Sequence, residues 1–364
     1  MKNPGAAIIL IMVLILTSGI NAYAAEAVDI QDELDGVPYR IQIPGNWNKG
    51  LVMYAHGYKM PGRPWSPMSD NIGQVFIDRG FALAQSGYSR QGWALEQAVG
   101  ETESLRKYFQ KQYGRADSTF ITGHSMGGLI TLATIEIYPE AYDGAMPMCG
   151  PLAPAMFFFK DRIFDMVVSF EAIFGDNIPV EYQPLMEAAI LPRAAVQQAL
   201  DARPGMATKY ALHWGIKEKD VAGTIAMNQF LLKELEERAG GNPFDNRGTI
   251  YMGFGQIDGL NDKVLRYDAD PGAVDYIRKH YTATGEIEDP VLALHTSYDS
   301  GVPTCVPCYY AKMSALKDNA DLFVQLYVEA EGHCNFTAGQ TGKVFDMLRG
   351  WVATGQKPEA GLLQ

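Results

Sequence analysis

Ser125 stands in the run Gly123-His124-Ser125-Met126-Gly127, a potential nucleophile with glycine on either side. Thr119-Phe120-Ile121-Thr122 before it is apolar, and Leu129 to Tyr138 after it carries helical spacing. A strand that turns sharply into a helix strains the backbone of the residue at the turn and leaves no room for side chains beside it. Glycines supply that room. The same turn lifts the serine hydroxyl clear of the sheet and aims the first N–H groups of the helix at whatever it attacks. A serine hydroxyl is a weak nucleophile until a base takes its proton, so partners are expected downstream. Val291-Leu292-Ala293-Leu294-His295 reads as a buried strand running into Tyr298-Asp299-Ser300-Gly301-Val302-Pro303, a turn that presents Asp299 past the strand's carboxyl end. Leu322 to Val328 reads as a further strand, and Glu331-Gly332-His333-Cys334 follows it as a loop carrying His333. Together these residues could run nucleophilic acyl chemistry, with His333 as base and Asp299 orienting it.

The chain order Ser125, Asp299, His333 is that of the α/β-hydrolases and differs from the orders on the chymotrypsin and subtilisin folds. On the glycine-flanked serine, the Asp-x-x-Val-Pro turn and the Gly-His loop, the chain resembles a secreted serine esterase of the α/β-hydrolase superfamily. The resemblance implies Ser125, Asp299 and His333 as a catalytic triad. It also assigns the loop after Leu51-Val52-Met53-Tyr54-Ala55, namely His56-Gly57-Tyr58, to the oxyanion hole. The backbone N–H groups of Tyr58 and Met126 would then hold the developing oxyanion, with Gly57 in place of Tyr58 if the loop is shifted by one residue. The expected substrate is a small-molecule or polymeric ester, and no metal or organic cofactor is called for. Three other functions share parts of this pattern: a serine exopeptidase of the prolyl oligopeptidase type, a carbon–carbon hydrolase acting on β-diketones, and a non-catalytic binding module. The first is opposed by the lack of length for a propeller domain, and the last by the retention of all three triad residues.

The elements that position these residues alternate strand and helix. Tyr39 to Pro44, Phe81 to Gln85 and Gly144 to Cys149 read as strands, and Val99 to Tyr113 as a helix. The expected architecture is α/β, a doubly wound, mostly parallel sheet. Residues 25–150 and 289–364 make its core, and residues 151–288, far more chain than the crossover needs, form a mainly helical lid or cap. Phe157-Phe158-Phe159, Ile163, Phe164 and Phe170 open that insertion, and Ala226 to Arg238 looks amphipathic and helical. As a group these aromatics suggest a pocket for an apolar or aromatic acyl group. Trp65, Tyr88 and Trp93 fall in loops on the Ser125 side of the sheet and are candidate substrate contacts.

A chain of 364 residues, 47% hydrophobic, can bury a large core, and a formal charge of −12 argues against nucleic acid and against anionic membrane surfaces. Lys2, the apolar run Ala6 to Leu16 and Ala22-Tyr23-Ala24 have the form of an export signal, which predicts a secreted or periplasmic protein starting at Ala25. The run is shorter than the roughly 20 residues of a spanning helix, so no stable membrane association is expected. Export makes the four cysteines readable as disulfides, and four cysteines allow three pairings. Cys305 and Cys308 could bridge locally, leaving Cys149 and Cys334 to pair across the site; alternatively Cys305 or Cys308 bridges to Cys334. A crosslink beside His333 would resemble tannase-type esterases in part only, since His124 and not a cysteine precedes Ser125. No zinc-ligand spacing occurs among His56, His124, His213, His280 and His295.

Overall fold

A computed structural model describes residues 26–364; the expected export signal and its cleavage before Ala25 lie outside the described residues. Strands β1 (Val28–Leu34) and β2 (Val37–Ile43) form an antiparallel hairpin. They are followed by β3 (Gly50–Ala55), helix α1 (Asp70–Ile77), β4 (Ala82–Ser86), α2 (Leu95–Tyr113), β5 (Ser118–His124), α3 (Met126–Ile137) and β6 (Gly144–Met148). The helical insertion comes next, and the chain then returns as β7 (Val291–Tyr298), β8 (Phe323–Glu331) and a short β9 (Gly361–Leu362). All nine strands make one sheet in the order β1-β2-β4-β3-β5-β6-β7-β8-β9. It is parallel from β4 to β9, and β2 joins it antiparallel along β4.

Strand alternation sorts the core into two faces. Leu51, Met53, Ile121, Ala145, Val291 and Ala293 point to one side, where Leu105, Phe109, Leu132 and Ile135 of α2 and α3 cover them. Val52, Tyr54, Phe120, Met146, Leu292 and Leu294 point to the other and meet Phe76 of α1 with Val344, Phe345 and Leu348 of the last long helix, Ala338–Thr354. Phe345 packs edge-on against Phe76, Phe81 and Phe120. Parallel strands need cover on both faces, and this chain supplies it from opposite ends of the sequence.

Between β6 and β7 the insertion runs as helices α4 (Ala155–Phe158), a π-helical turn (Phe159–Phe164), α5 (Asp165–Phe174), α6 (Arg193–Asp201), α7 (Pro204–Trp214), α8 (Glu218–Ala239), α9 (Leu260–Lys263) and α10 (Pro271–Lys279). Phe164, Phe170, Phe174, Tyr210, Phe244 and Phe254 are fully buried within it, so most of its aromatics are its own core.

Backbone approaches backbone most closely where β5 turns into α3. A Cβ on Gly127 would come 2.0 Å from the Ala55 carbonyl oxygen, and one on Gly123 would come 2.4 Å from the same atom. The obstacle is backbone in the middle of the sheet, which has nowhere to go. Gly127→Ala is therefore expected to destabilise the protein by about 3 kcal/mol or more, read as the urea unfolding midpoint.

Candidate active site

Ser125 occupies the turn between β5 and α3 with φ 58° and ψ −125°, a conformation that side-chain-bearing residues avoid. It is held there by its own backbone: its N–H donates to the Met148 carbonyl at 2.9 Å, and its carbonyl accepts from Gly128 at 2.8 Å. Its hydroxyl lies 2.7 Å from His333 Nε2, and His333 Nδ1 donates to Asp299 Oδ2 at 2.6 Å. Asp299 stands just past the end of β7 with its other oxygen accepting from the N–H groups of Gly301 at 2.8 Å and Val302 at 3.0 Å. Burial pushes this carboxyl up, but the His333 hydrogen bond and charge, the Val302 N–H and nearby His295 outweigh it. Asp299 is held below the ordinary carboxylate range, as an anion. Three residues far apart in sequence thus form one continuous hydrogen-bonded chain.

The histidine loop is pinned from several directions. Gly332, at φ 103°, donates to the Tyr298 carbonyl at 2.9 Å and accepts from Thr296 Oγ1 at 3.1 Å. Cys334, the next residue but one, is joined to Cys149 by a disulfide. Cys149 directly follows β6, and its sulfur lies 3.3 Å from the Ser125 N–H. The crosslink therefore ties the loop of His333 to the strand beneath Ser125. Cys305 and Cys308 remain exposed thiols, which corrects the local bridge and the bridge from either of them to Cys334. Cys334 is already paired, and Cys308 opens helix α11 (Cys308–Leu316) with its sulfur 3.0 Å from the Tyr327 hydroxyl.

A cavity of about 280 Å³ opens beside Ser125, just under the roughly 300–1,000 Å³ usual for small-ligand sites. Ser125, His333, Tyr58, Met126 and Gly301 line it from the core; Trp93, Pro151, Phe158, Ile163, Val302, Met227, Asn228 and Leu231 complete it. Tyr58 and Met126 thus both reach the cavity. Trp93 does so as well, stacked near Phe158 with centroids 6.2 Å apart. Tyr88 and Trp65 do not. The Tyr88 ring is 2% exposed and stacks on His56 at 4.0 Å, while Trp65 packs over Gly87, where a Cβ would come 2.6 Å from the indole. The Tyr88 ring fills the space beside His56, and the Trp65 ring lies over the Gly87 backbone, so neither lines the cavity. Among the other histidines, His124 accepts from the Tyr54 hydroxyl at 3.1 Å, and His295 donates to the Val302 carbonyl at 2.8 Å.

The site thus stands on a mostly parallel sheet, with the candidate nucleophile in the β5–α3 turn. A model of the family described as "Putative esterase" matches residues 80–238, which include Ser125. In this match and in the order and geometry of Ser125, Asp299 and His333 the chain resembles the α/β-hydrolase superfamily. It is 23% identical to an o-phthalyl amidase of Xanthobacter agilis, over 93% of this chain and 90% of that protein. Its structure is similar to that of Est1E from Butyrivibrio proteoclasticus, with a TM-score of 0.41 at 14% identity, covering 90% of this chain and 99% of that one. It is also similar to feruloyl esterase B from Aspergillus oryzae, with a TM-score of 0.47 at 12% identity, covering 91% and 80% of the two chains.

A buried ion pair that the sequence does not announce joins the insertion to the site. Glu234 on α8 accepts from the Tyr58 hydroxyl, from the Trp93 N–H at 2.8 Å and from Arg238 Nε at 2.6 Å. Arg238 also donates to the Gln91 carbonyl, and Gly92 at φ 84° is where the pair passes, since a Cβ there would overlap Glu234. Burial and then the Glu234 carboxylate raise the Tyr58 hydroxyl well above its ordinary range and keep it a donor. Glu234 and Arg238, four residues apart on a helix, have the spacing of a solvent-exposed pair, and nothing in the sequence says that this face looks inward. At the other end of α8, Asp220 accepts from the Tyr298 hydroxyl at 2.6 Å. The helix is anchored at both ends, with Met227, Asn228 and Leu231 over the cavity between them.

Removing one charge of the buried Glu234–Arg238 pair leaves the other unpaired, so Glu234→Gln is expected to cost about 3 kcal/mol in a urea unfolding experiment. Acid sensitivity follows from His56, whose pKa burial lowers to about 4 against the pull of the Gly57 and Gly87 carbonyls. The unfolded chain binds that proton near 6.5, so between these values the unfolded state holds more protons. The stabilisation is complete above pH 6.5 and is lost as the pH falls toward 4. His56→Asn, which does not titrate, should show a smaller fall in thermal midpoint between pH 7 and pH 5 than the parent protein does.

Proposed function

We propose that this protein is an exported serine hydrolase that cleaves carboxylic esters with an apolar or aromatic acyl group, through an acyl-enzyme on Ser125. The observation that carries the reading is the hydrogen-bonded chain from Ser125 Oγ through His333 to Asp299 at the mouth of a largely apolar cavity. His333 takes the Ser125 proton as the oxygen attacks the ester carbonyl. Asp299, buried and anionic, holds the imidazole in the tautomer whose Nε2 is free to accept and stabilises the imidazolium. The N–H groups of Tyr58 and Met126 receive the oxyanion, each worth about 3 kcal/mol in such sites. His333 then protonates the departing alcohol, and water, activated by the same imidazole, releases the acid. The insertion serves as the lid that shapes the acyl pocket. Export is supported by the Cys149–Cys334 disulfide, of a kind that persists in oxidising compartments.

Amide cleavage is a second reading, favoured by the likeness to an amidase along most of the chain. It uses the same residues and differs in the leaving group, an amine that must be protonated before it departs. Carbon–carbon hydrolysis and exopeptidase activity have no observation of their own in their favour.

The test is initial-rate hydrolysis of para-nitrophenyl esters of aliphatic and aryl acids beside the matching para-nitroanilides. Ester turnover is expected, strongest for aryl acyl groups, and Ser125→Ala should lower kcat by about 10⁶-fold, with Asp299→Asn lowering it by about 10⁴-fold. Turnover of the anilides alone would transfer the assignment to the amidase reading. Ester turnover unaffected in Ser125→Ala would remove the acyl-enzyme.

A further inference from the structure

Within the cavity the polar groups are few, and most are engaged. Ser125 and His333 bond one another, and the Tyr58 hydroxyl is given to Glu234. Asn228 is the remaining side chain that can both donate and accept, set on α8 between Met227 and Leu231. It is 8% exposed, yet its Nδ2 has only the weakly accepting Met166 sulfur, at 3.4 Å, and its Oδ1 has no partner among the described residues. The other two buried amides of the insertion are fully used. Gln229, next along the helix, accepts from Leu191 N–H at 2.6 Å and donates to the Leu185 and Ala189 carbonyls at 2.7 and 3.1 Å. Asn246 donates to the Tyr251 hydroxyl and the Leu265 carbonyl and accepts from Tyr267 N–H. This insertion satisfies its amides where they only hold structure, and it leaves open the one that faces the cavity. The Asn228 oxygen is open to the cavity, so a ligand that covers it without supplying a hydrogen bond leaves it unpaired.

We infer that Asn228 is a specificity-determining residue that binds a hydroxyl group carried on the otherwise apolar, aromatic acyl portion of the substrate. The inference rests on the acyl-enzyme reading of the site given above. A hydroxyl suits the position because it both donates and accepts, and so can pair with either end of the carboxamide. A carboxylate does not suit it: no lysine or arginine lines the cavity, and the Glu234 carboxylate lies behind Tyr58 in the same wall. The acyl portion is assigned to this end of the cavity by proton transfer. His333 must protonate the leaving group, and its side chain is 39% exposed, so the alcohol departs on the open side. The acyl group is then left on the enclosed side beneath α8, between Trp93, Phe158, Ile163 and Leu231. An apolar bed with one convergent polar group selects by orientation, since a matched hydroxyl gains a hydrogen bond and an unmatched acyl group leaves the amide unpaired.

The experiment compares kcat/KM for para-nitrophenyl esters of 3-phenylpropanoic acid and of its 3-hydroxyphenyl and 4-hydroxyphenyl counterparts, in the parent enzyme and in Asn228→Leu. At least one hydroxylated ester should be preferred by about tenfold in the parent, and that preference should vanish in the variant while the unsubstituted ester is cleaved at least as well. No preference in the parent, or a preference that survives in Asn228→Leu, overturns the inference; the parent measurement decides even if the variant does not fold. Calorimetric binding of the three free acids to Ser125→Ala separates this from the catalytic reading, because binding needs no turnover. Tighter binding of a hydroxylated acid without any ester cleavage would sustain the role of Asn228 and sink the esterase assignment. Equal binding of all three acids with brisk ester cleavage would do the reverse.

Discussion

The close approach of β3 to the β5–α3 turn governs everything else in the site. Ser125 can hold its hydroxyl above the sheet only in a positive-φ conformation, and that conformation packs Gly123 and Gly127 against the Ala55 carbonyl. Backbone strain of this kind costs on the order of 1–3 kcal/mol and persists only where the surroundings over-determine it. Here the surroundings are the middle of a nine-stranded sheet covered on both faces, with the Ser125 N–H and carbonyl both bonded to backbone. A rigid platform of that sort fixes the Ser125 hydroxyl 2.7 Å from His333 Nε2.

The same platform explains why the other two members of the chain sit on loops and yet are well held. Asp299 is fixed by two N–H groups of its own turn and by burial, so its charge is committed to the imidazole and cannot turn to solvent. His333 is partly exposed, which under the proposed acyl chemistry leaves a path for a proton between Ser125 and a leaving group. The loop that carries it is accordingly tethered at the positions around it: Gly332 to Thr296 and Tyr298, and Cys334 to Cys149. The disulfide closes a separation of 185 residues, the whole insertion included, so it restrains the unfolded chain as well as the folded loop.

Helix α8 buries Val221, Ile225, Leu232 and Leu235 in the hydrophobic core and ties the insertion into this arrangement through polar contacts at both ends. Its Asp220 end meets Tyr298 at the close of β7, and its Glu234–Arg238 end meets Tyr58 and the Gln91–Trp93 loop. Both anchors lie on residues adjacent to catalytic candidates. A change in the position of α8 would therefore be felt at once by the Tyr58 loop and by the turn of Asp299, which couples the shape of the cavity to the geometry of the Ser125–His333–Asp299 chain.

Local chemistry was legible in the residues alone. The glycine-flanked serine, the Asp turn and the Gly-His loop each sit at the end of a strand whose apolar pattern is continuous, and short-range sterics leave such segments few options. The strands β2 to β8 and helix α8 follow from periodicity, whereas β1, whose residues are polar and largely exposed, escapes it; the Asp35-Gly36 hairpin turn was its one signal. The tertiary structure alone decided the pairing of Cys149 with Cys334, the placing of Tyr88 and Trp65 away from the cavity, the burial of Glu234 with Arg238, and the open amide of Asn228. Each of these depends on what a distant segment places opposite a side chain. Periodicity reports which face of an element is apolar, but the partner of a polar or aromatic residue on that face is set by packing between segments that are remote along the chain.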